Sequence, residues 1–373
     1  MKTFVFRVDA SLRIGTGHVM RCLTLADSLR VEGHQCHFVS RAHPGHLLEQ
    51  IRQRGFAVTA LPIALPRPPS NTAAASERAD EPTHAPWLGC DWQTDAEQTR
   101  AVLAELQTDW LVVDHYALSQ NWEAALRPHY KKLMVIDDLA DRLHQCDLLL
   151  DQNLGRQPQE YASLVPAQCK VLTGPQYALL RPEFAALRAH SQQRRQQPVF
   201  KQLLITMGGV DQPNATGQVL QALQDCPLPP DCRITVVMGL QAPWLEQVRA
   251  QAQGMPWPTE VLVNISDMAQ RMADSDLAIG AAGSTSWERC CLGLPTLLVV
   301  LADNQRAIAD ALQGAGAAKT LDIASAVPTT CEVLSALVAN SRALHDMSIA
   351  AARIVDGLGT ASLVSLLSVL ENP

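Results

Sequence analysis

The sequence has no long hydrophobic run and no extended basic tract. No apolar stretch approaches the roughly 18 residues of a membrane-spanning helix, and a charged strand stands at the N-terminus where a secretory leader would lie. We therefore expect a cytoplasmic protein without membrane insertion. The formal net charge is −7, and no basic run extends beyond Arg194 and Arg195, which disfavours nucleic-acid binding.

Paired-cysteine motifs are also missing, although the chain has 10 cysteines. Cys22 and Cys226 fall at apolar positions, and Cys290 and Cys291 are adjacent in a predicted helix. This usage predicts buried free thiols and neither disulfides nor a metal cluster. A P-loop motif and HExxH are absent as well, so we expect no resident metal and no other cofactor.

What is present is an alternation of strand and helix patterns. With 373 residues, of which 47% are hydrophobic and 18% charged, the chain is long enough for two α/β domains. The pattern restarts after a polar stretch at 191–198, which predicts Rossmann-like domains at 1–190 and 199–373. Residues 62–86 are rich in Pro and Ala and have no apolar period, which predicts a mobile surface loop in the first domain.

A glycine loop in the first domain joins the apolar run Phe4–Phe6, a predicted strand, to a predicted helix. Gly15 and Gly17 form this loop, and His18 follows at the helix start. Free backbone N–H groups in such a turn face an anion, and the positive end of the helix favours a neutral imidazole. A turn with only a connecting role is the alternative interpretation. Because the third glycine of the dinucleotide fingerprint is missing, we exclude a nicotinamide or flavin site.

Polar side chains follow several predicted strands of the first domain. Asp9 and Ser11 follow the first strand, where open α/β sheets bind ligands. Aspartates also lie at or near the ends of three further predicted strands, at the same edge of the predicted sheet. These strands are 110–114, 133–138 and 148–153. Each aspartate alone is a common turn starter, but their clustering favours a polar cleft.

Two turns in the second domain carry small residues. Gly208 and Gly209 follow a predicted strand, and residues 280–286 precede a predicted helix that has Glu288 in its first turn. Small residues allow phosphates to approach the backbone. The Glu288 carboxylate suits both hydroxyls of a ribose, although it also suits a helix start without any ligand.

The predicted chain has two α/β domains of the kind that binds nucleotides, and the second domain carries the turns suited to phosphate groups. This arrangement resembles the GT-B glycosyltransferase architecture. The tract at 280–288 is similar to the donor-nucleotide segment of the MurG-type branch, and the tract at 7–26 resembles the UDP-sugar hydrolases of the pseudaminic acid pathway. Further similar tracts are 113–116, 135–138, 151–153, 174–184, 207–211 and 303–305. The loop at 62–86 departs from the compact form of that family.

The resemblance implies a function and roles for individual residues. His18 matches the base that activates water, Tyr116 matches a tyrosine of the active-site cleft, and Glu288 and Asn304 match positions that hold the UDP-sugar. The complete predicted set comprises His18 and Tyr116 for catalysis and, for substrate binding, Asp9, Ser11, Gly15, Gly17, Arg21, Asn153, Gly208, Gly209, Asp211, Gly283, Ser284, Thr285, Glu288, Asn304 and Gln305.

The implied reaction converts a UDP-linked 2,4-diacetamido-2,4,6-trideoxyhexose into UDP and the free sugar. We expect metal-independent cleavage of the C1–O bond with inversion, in a cleft between the two domains of a monomer or weak dimer. Three alternatives stay open at this point: a glycosyltransferase that uses a UDP-sugar donor, a UDP-sugar epimerase, and a sugar-nucleotide binding module without turnover.

Overall fold

The computed structural model describes residues 1–63, 81–323 and 327–370. Most of the predicted loop at 62–86 thus lies outside the described residues, and its last part enters a 3-10 turn at Ala85–Trp87. The chain divides into unit 1, Met1–Leu179 with Ala361–Pro373, and unit 2, Leu180–Thr360.

Unit 1 contains a parallel sheet whose described strands have the order β3-β2-β1-β4-β5-β6-β7. The strands are β1 Thr3–Val8, β2 Gln35–Arg41, β3 Ala57–Leu61, β4 Trp110–Asp114, β5 Lys132–Ile136, β6 Leu148–Asp151 and β7 Lys170–Thr173. The helices are α1 Gly17–Val31, α2 Leu48–Gln53, α3 Trp92–Ala104 and α4 Gln120–Leu126. Apolar clusters cover both faces of this sheet, as expected for parallel strands.

Unit 2 contains a second parallel sheet, whose described strands have the order β10-β9-β8-β11-β12-β13. Its helices and strands are α5 Pro182–Arg194, β8 Gln202–Thr206, α6 Ala215–Gln224, β9 Arg233–Met238, α7 Leu245–Gln253, β10 Thr259–Val263, α8 Met268–Asp274, β11 Leu277–Ala281, α9 Thr285–Cys291, β12 Thr296–Val299, α10 Arg306–Gly314, β13 Ala318–Leu321, α11 Val327–Val338 and α12 Ser341–Ala352. The predicted class of two Rossmann-like α/β domains is confirmed.

The division between the units differs from the predicted boundary at 190–199. Residues 191–194 continue α5, so the polar stretch begins inside a helix of unit 2. The final helix, Gly359–Val369, brings Leu363 and Leu367 into the apolar cluster of unit 1. The polarity pattern of the sequence did not reveal that the C-terminal helix belongs to unit 1, because an apolar helix face does not specify which of two sheets it covers.

The prediction of a free thiol at Cys226 is wrong. Cys226 and Cys331 form a disulfide with a Cα–Cα distance of 5.1 Å. Cys226 follows α6 and Cys331 lies in α11, and these two helices pack against each other. The partners are 105 residues apart in sequence, so their pairing depends on this helix packing.

None of the helices described in the structure combines the length and the apolar character that crossing a bilayer requires.

Candidate active site and nucleotide-binding turns

His18 forms a short hydrogen bond with a buried carboxylate. It lies in the first turn of α1, and Asp114 is the last residue of β4, which pairs with β1. The distance from His18 Nδ1 to Asp114 Oδ1 is 2.6 Å, and the His18 side chain is 11% exposed. Donation of Nδ1–H to Asp114 selects the tautomer in which Nε2 carries a lone pair. Nε2 is therefore the atom that can accept a proton.

Arg21 holds Asp114 from the other side. Its Nε and Nη2 donate to the two Asp114 oxygens at 2.6 and 2.7 Å. Burial by itself would raise the pKa of Asp114, but Arg21 and His18 keep it well below its usual range. Arg21 is itself buried and donates to Asp114 and Asp138, and its direct contact with substrate stays a prediction.

Tyr116 packs its ring edge-to-face against the His18 ring, with 4.7 Å between centroids. Its hydroxyl donates to Asp138 Oδ2 at 2.5 Å, and Arg21 Nη2 lies 2.8 Å from the same oxygen. Burial, followed by the Asp138 charge, raises the pKa of Tyr116 well above its usual value. The hydroxyl therefore stays protonated and orients the ring beside His18.

Asn153 reaches the same edge of the sheet. Its backbone N–H donates to Asp151 Oδ1 at 2.9 Å, and its side-chain Nδ2 donates to the Asp138 carbonyl at 3.2 Å. Strands β4, β5 and β6 are neighbours in the sheet, so the polar residues at their carboxyl ends form one group.

The loop before α1 is held by its own contacts. Gly15 N–H donates to the Ser11 carbonyl at 2.8 Å, and the Ser11 hydroxyl accepts from the backbone N–H of Ile14 at 2.9 Å. Gly15 has a φ of +83°, a conformation that side-chain-bearing residues rarely adopt. Gly17 opens α1 directly before His18.

Asp9 is fully buried in a network of charged side chains. It accepts from Arg7 at 2.6 and 2.9 Å and from the backbone N–H of Arg41 at 2.6 Å. Despite burial, Arg7 and then His115 and His43 hold its pKa well below the usual range. A carboxylate in these surroundings supports the loop that follows β1, and its direct contact with substrate stays a prediction.

In unit 2, the turn at Gly208 and Gly209 follows β8, and Gly208 has a φ of +86°. Asp211 lies three residues further along the chain and caps α6. Its two carboxylate oxygens accept the backbone N–H groups of Ala215 and Thr216, each at 2.8 Å. The structure thus gives Asp211 a helix-capping role, while the predicted contact with substrate is untested.

The turn after β11 lies next to residues that follow β12. A Cβ atom built on Gly283 would stand 3.8 Å from Gln305 Nε2 and would meet no nearer neighbour. Ser284 caps α9, Thr285 begins it, and Asn304 lies with Gln305 in the 3-10 turn Asp303–Gln305. Since β8, β11 and β12 are consecutive in the sheet, the predicted nucleotide-binding residues share one edge of unit 2.

Glu288 lies in α9, one turn beyond its cap. Burial raises the pKa of its carboxyl group to about 7, while Arg181 and Arg289 act in the opposite direction. Among the described residues, no hydrogen-bond donor is directed at this carboxylate. It is therefore available to accept hydrogen bonds from a ligand.

Several residues around these groups were missed by sequence reasoning. Asp114 and Asp138 were noted only as strand-end aspartates, although that position is the signal that could have identified them. Trp87 and His84 pack against the Tyr116 ring, with centroid distances of 5.7 and 5.4 Å. They stand at the end of the predicted loop and carried no sequence signal.

Comparisons with known proteins agree with this architecture. Residues 202–358 match the glycosyltransferase family 28 C-terminal domain. The crystal structure of MurG from Acinetobacter baumannii superposes with a TM-score of 0.69 at 18% identity and covers 99% of both chains. The likeness to MurG shows the GT-B type of fold, which confirms the fold predicted from the sequence.

Two curated relatives extend the comparison. The chain is 24% identical to the UDP-2,4-diacetamido-2,4,6-trideoxy-beta-L-altropyranose hydrolase of Campylobacter jejuni over 306 residues, which are 82% of this chain and 94% of that protein. It is 30% identical over 164 residues to the spore coat polysaccharide biosynthesis protein SpsG of Bacillus subtilis, and this match covers 44% of the chain and 47% of SpsG. The chain thus spans about half the length of SpsG, and the predicted resemblance to the hydrolase is confirmed.

Proposed function

We propose that the chain hydrolyses a UDP-linked 2,4-diacetamido-2,4,6-trideoxyhexose to UDP and the free sugar, as a hydrolase of the pseudaminic acid pathway. The observation that carries this proposal is the His18–Asp114 pair at 2.6 Å, whose geometry leaves Nε2 as a proton acceptor. The similarity to the Campylobacter jejuni hydrolase over 82% of the chain supports the choice of substrate.

In the proposed reaction, His18 Nε2 accepts a proton from water while the water oxygen attacks C1 of the sugar. The C1–O bond breaks, and its electron pair stays on the diphosphate oxygen of UDP. Asp114 stabilises the imidazolium that forms, and Arg21 keeps Asp114 ionised. UDP is a good leaving group, so the reaction depends on a positioned water, a base and donors for the diphosphate.

Unit 2 supplies the proposed nucleotide site. In this proposal, the backbone N–H groups at Gly208, Gly209, Gly283 and Ser284 bind the diphosphate, and the Glu288 carboxylate accepts hydrogen bonds from both ribose hydroxyls. Asn304 and Gln305 lie beside the turn that contains Gly283.

The alternative function is that of a glycosyltransferase in which His18 activates an acceptor hydroxyl and not water. The match of residues 202–358 to the family 28 domain favours this alternative. Both reactions use the same base and the same leaving group, so the identity of the nucleophile distinguishes them.

Single turnover in ¹⁸O-water is expected to place the label on the sugar product. The sugar should first appear with an inverted anomeric centre, because attack opposite the leaving group inverts C1. Mass spectrometry locates the label, and NMR recorded early in the reaction gives the anomer. Label in UDP would show attack on phosphorus and contradict the proposed mechanism.

EDTA should change the rate little, and strong inhibition by EDTA would indicate a catalytic metal.

Replacing Glu288 by alanine should weaken the binding of UDP and of uridine together, since both ligands carry the ribose. Loss of a charged hydrogen bond costs about 1.5–3 kcal/mol, or roughly one to two decades in affinity. With its pKa raised to about 7 by burial, Glu288 is about half ionised at neutral pH and becomes more ionised as the pH rises. Uridine affinity should therefore rise as the pH increases from about 6 to 8. Isothermal titration calorimetry measures both effects.

Glu246→Ala provides a control for this measurement, because the Glu246 side chain is 82% exposed on α7 and pairs with Arg249 on the same helix. The Glu288→Gln variant should bind uridine with no pH dependence in this range. Unchanged uridine affinity in Glu288→Ala would show that the carboxylate does not contact the ribose.

A further inference from the structure

Arg289 is a buried cation without an acidic partner. Its side chain is 1% exposed, and among the described residues no carboxylate lies within ion-pair distance of its guanidinium. Burial lowers its pKa to about 10, an effect that Cys290 and Glu288 partly offset, so the group stays protonated at neutral pH. An uncompensated buried charge is costly unless something nearby stabilises it.

The guanidinium lies against the turn that follows β11. Nη2 donates to the Ala281 carbonyl at 2.7 Å and to the Ser286 hydroxyl at 3.0 Å, and Nη1 donates to the Thr285 hydroxyl at 3.2 Å. These three neutral acceptors belong to the last residue of β11 and to the first turn of α9. Arg289 Nε is buried and has no hydrogen-bond partner.

Gly280 brings this cation close to β8 as well. A Cβ atom at position 280 would lie 2.6 Å from Arg289 Nη1 and 2.9 Å from the carbonyl oxygen of Thr206. Only glycine fits between these two groups without displacing one of them. Since Gly280 pairs with Thr206, the last residue of β8, the positive charge lies near the carboxyl ends of the two strands that precede the proposed phosphate turns.

We propose that Arg289 is a positioning residue for the diphosphate. Its side chain holds the turn after β11 in shape and supplies a positive charge that the bound diphosphate neutralises. This inference rests on the proposed function and adds to it a residue that selects nucleotides by their phosphate groups. It also accounts for the lack of a direct ion pair to Arg289 among the described residues, because a carboxylate in contact with the guanidinium would offset its attraction for a bound phosphate.

The test compares UDP with uridine, which lacks the phosphates, in calorimetric titrations of the full chain. Arg289→Gln should lower UDP affinity about 10- to 100-fold and change uridine affinity less than about threefold. Arg289→Lys retains the charge and should keep most of the preference for UDP. Arg342→Gln, which removes a 90% exposed arginine of α12, should change neither affinity.

A purely structural role would predict a different pattern. The inference would be overturned if both Arg289 variants lost UDP and uridine affinity equally. It would also be overturned if Arg289→Gln kept an unchanged preference for UDP. In either case, UDP binding by the wild-type chain would still support the nucleotide site. If the glutamine variant does not fold, loss of the UDP preference in a folded Arg289→Lys variant would also overturn the inference. A wild-type chain that binds neither ligand would refute the proposed function itself.

Discussion

Replacement of His18 by glutamine should lower kcat by about 10²- to 10⁴-fold, the contribution of a general base, while UDP affinity stays unchanged. Glutamine approximates the size of the imidazole but accepts no proton, and the proposed UDP site lies in unit 2. Product release measured by chromatography gives kcat, and calorimetry gives UDP affinity. Near-wild-type turnover in the purified variant would remove His18 from the mechanism.

Asp114→Asn should reproduce much of this loss without removing the base. The amide no longer balances an imidazolium, and it can present its NH₂ group to His18 Nδ1 and so favour the wrong tautomer. Its pH–rate profile should change, an effect that a packing defect alone would not produce. His190→Gln is the matched control, because that histidine is 57% exposed in unit 2 and lies outside both proposed sites.

Replacement of Asp95 by alanine should destabilise unit 1 by about 3–5 kcal/mol, the usual effect of breaking a buried ion pair. Asp95 lies on α3 and pairs at 2.6 Å with Arg7 and with Arg41, all three side chains being fully buried. It also accepts from Trp122 Nε1 at 2.9 Å. Its loss leaves two arginine charges close together without their shared counterion. Urea unfolding followed by circular dichroism measures the change.

The control on the same helix is Asp91→Ala. Asp91 caps α3 by accepting from the Thr94 backbone N–H at 2.7 Å near the surface, so its loss should cost only about 1 kcal/mol. Arg7 holds the pKa of Asp95 below its usual value even though burial acts in the opposite direction. The ionised Asp95 carboxylate therefore stabilises the folded state at neutral pH. This contribution to the free energy of unfolding is lost as the pH falls through the acid range and the carboxylate is protonated. Equal effects of the two substitutions would contradict the network's proposed contribution.

Local sequence was sufficient for most of the fold. Strand β4 at Trp110–Asp114 matches its predicted bounds, since a continuous apolar run reports burial inside a parallel sheet. Strands β7, β10 and β13 were missed. Residues of β10 are partly buried or exposed, and β7 and β13 each contain an exposed lysine among only four residues, so none of the three forms a continuous buried apolar run.

Sequence by itself determined where chemistry-bearing residues stand relative to the strands and helices. The glycines before His18 and before Glu288 mark strand-to-helix turns, because only flexible, small residues permit those backbone paths. This local information identified His18 as a candidate base. It did not distinguish a carboxylate that faces a ligand from one that serves the protein's own structure.

Only the tertiary structure decided which groups of the protein each carboxylate contacts. Asp114 lies 96 residues from His18 in sequence, and the two meet because β4 pairs directly with β1. Asp9 pairs with Arg7 of β1 and lies near His43 and His115, which follow β2 and β4, and Asp211 accepts hydrogen bonds from the N-terminus of α6. The physical reason is that ion pairing and hydrogen bonding depend on distances between atoms, which strand order and helix packing set for residues far apart in the chain.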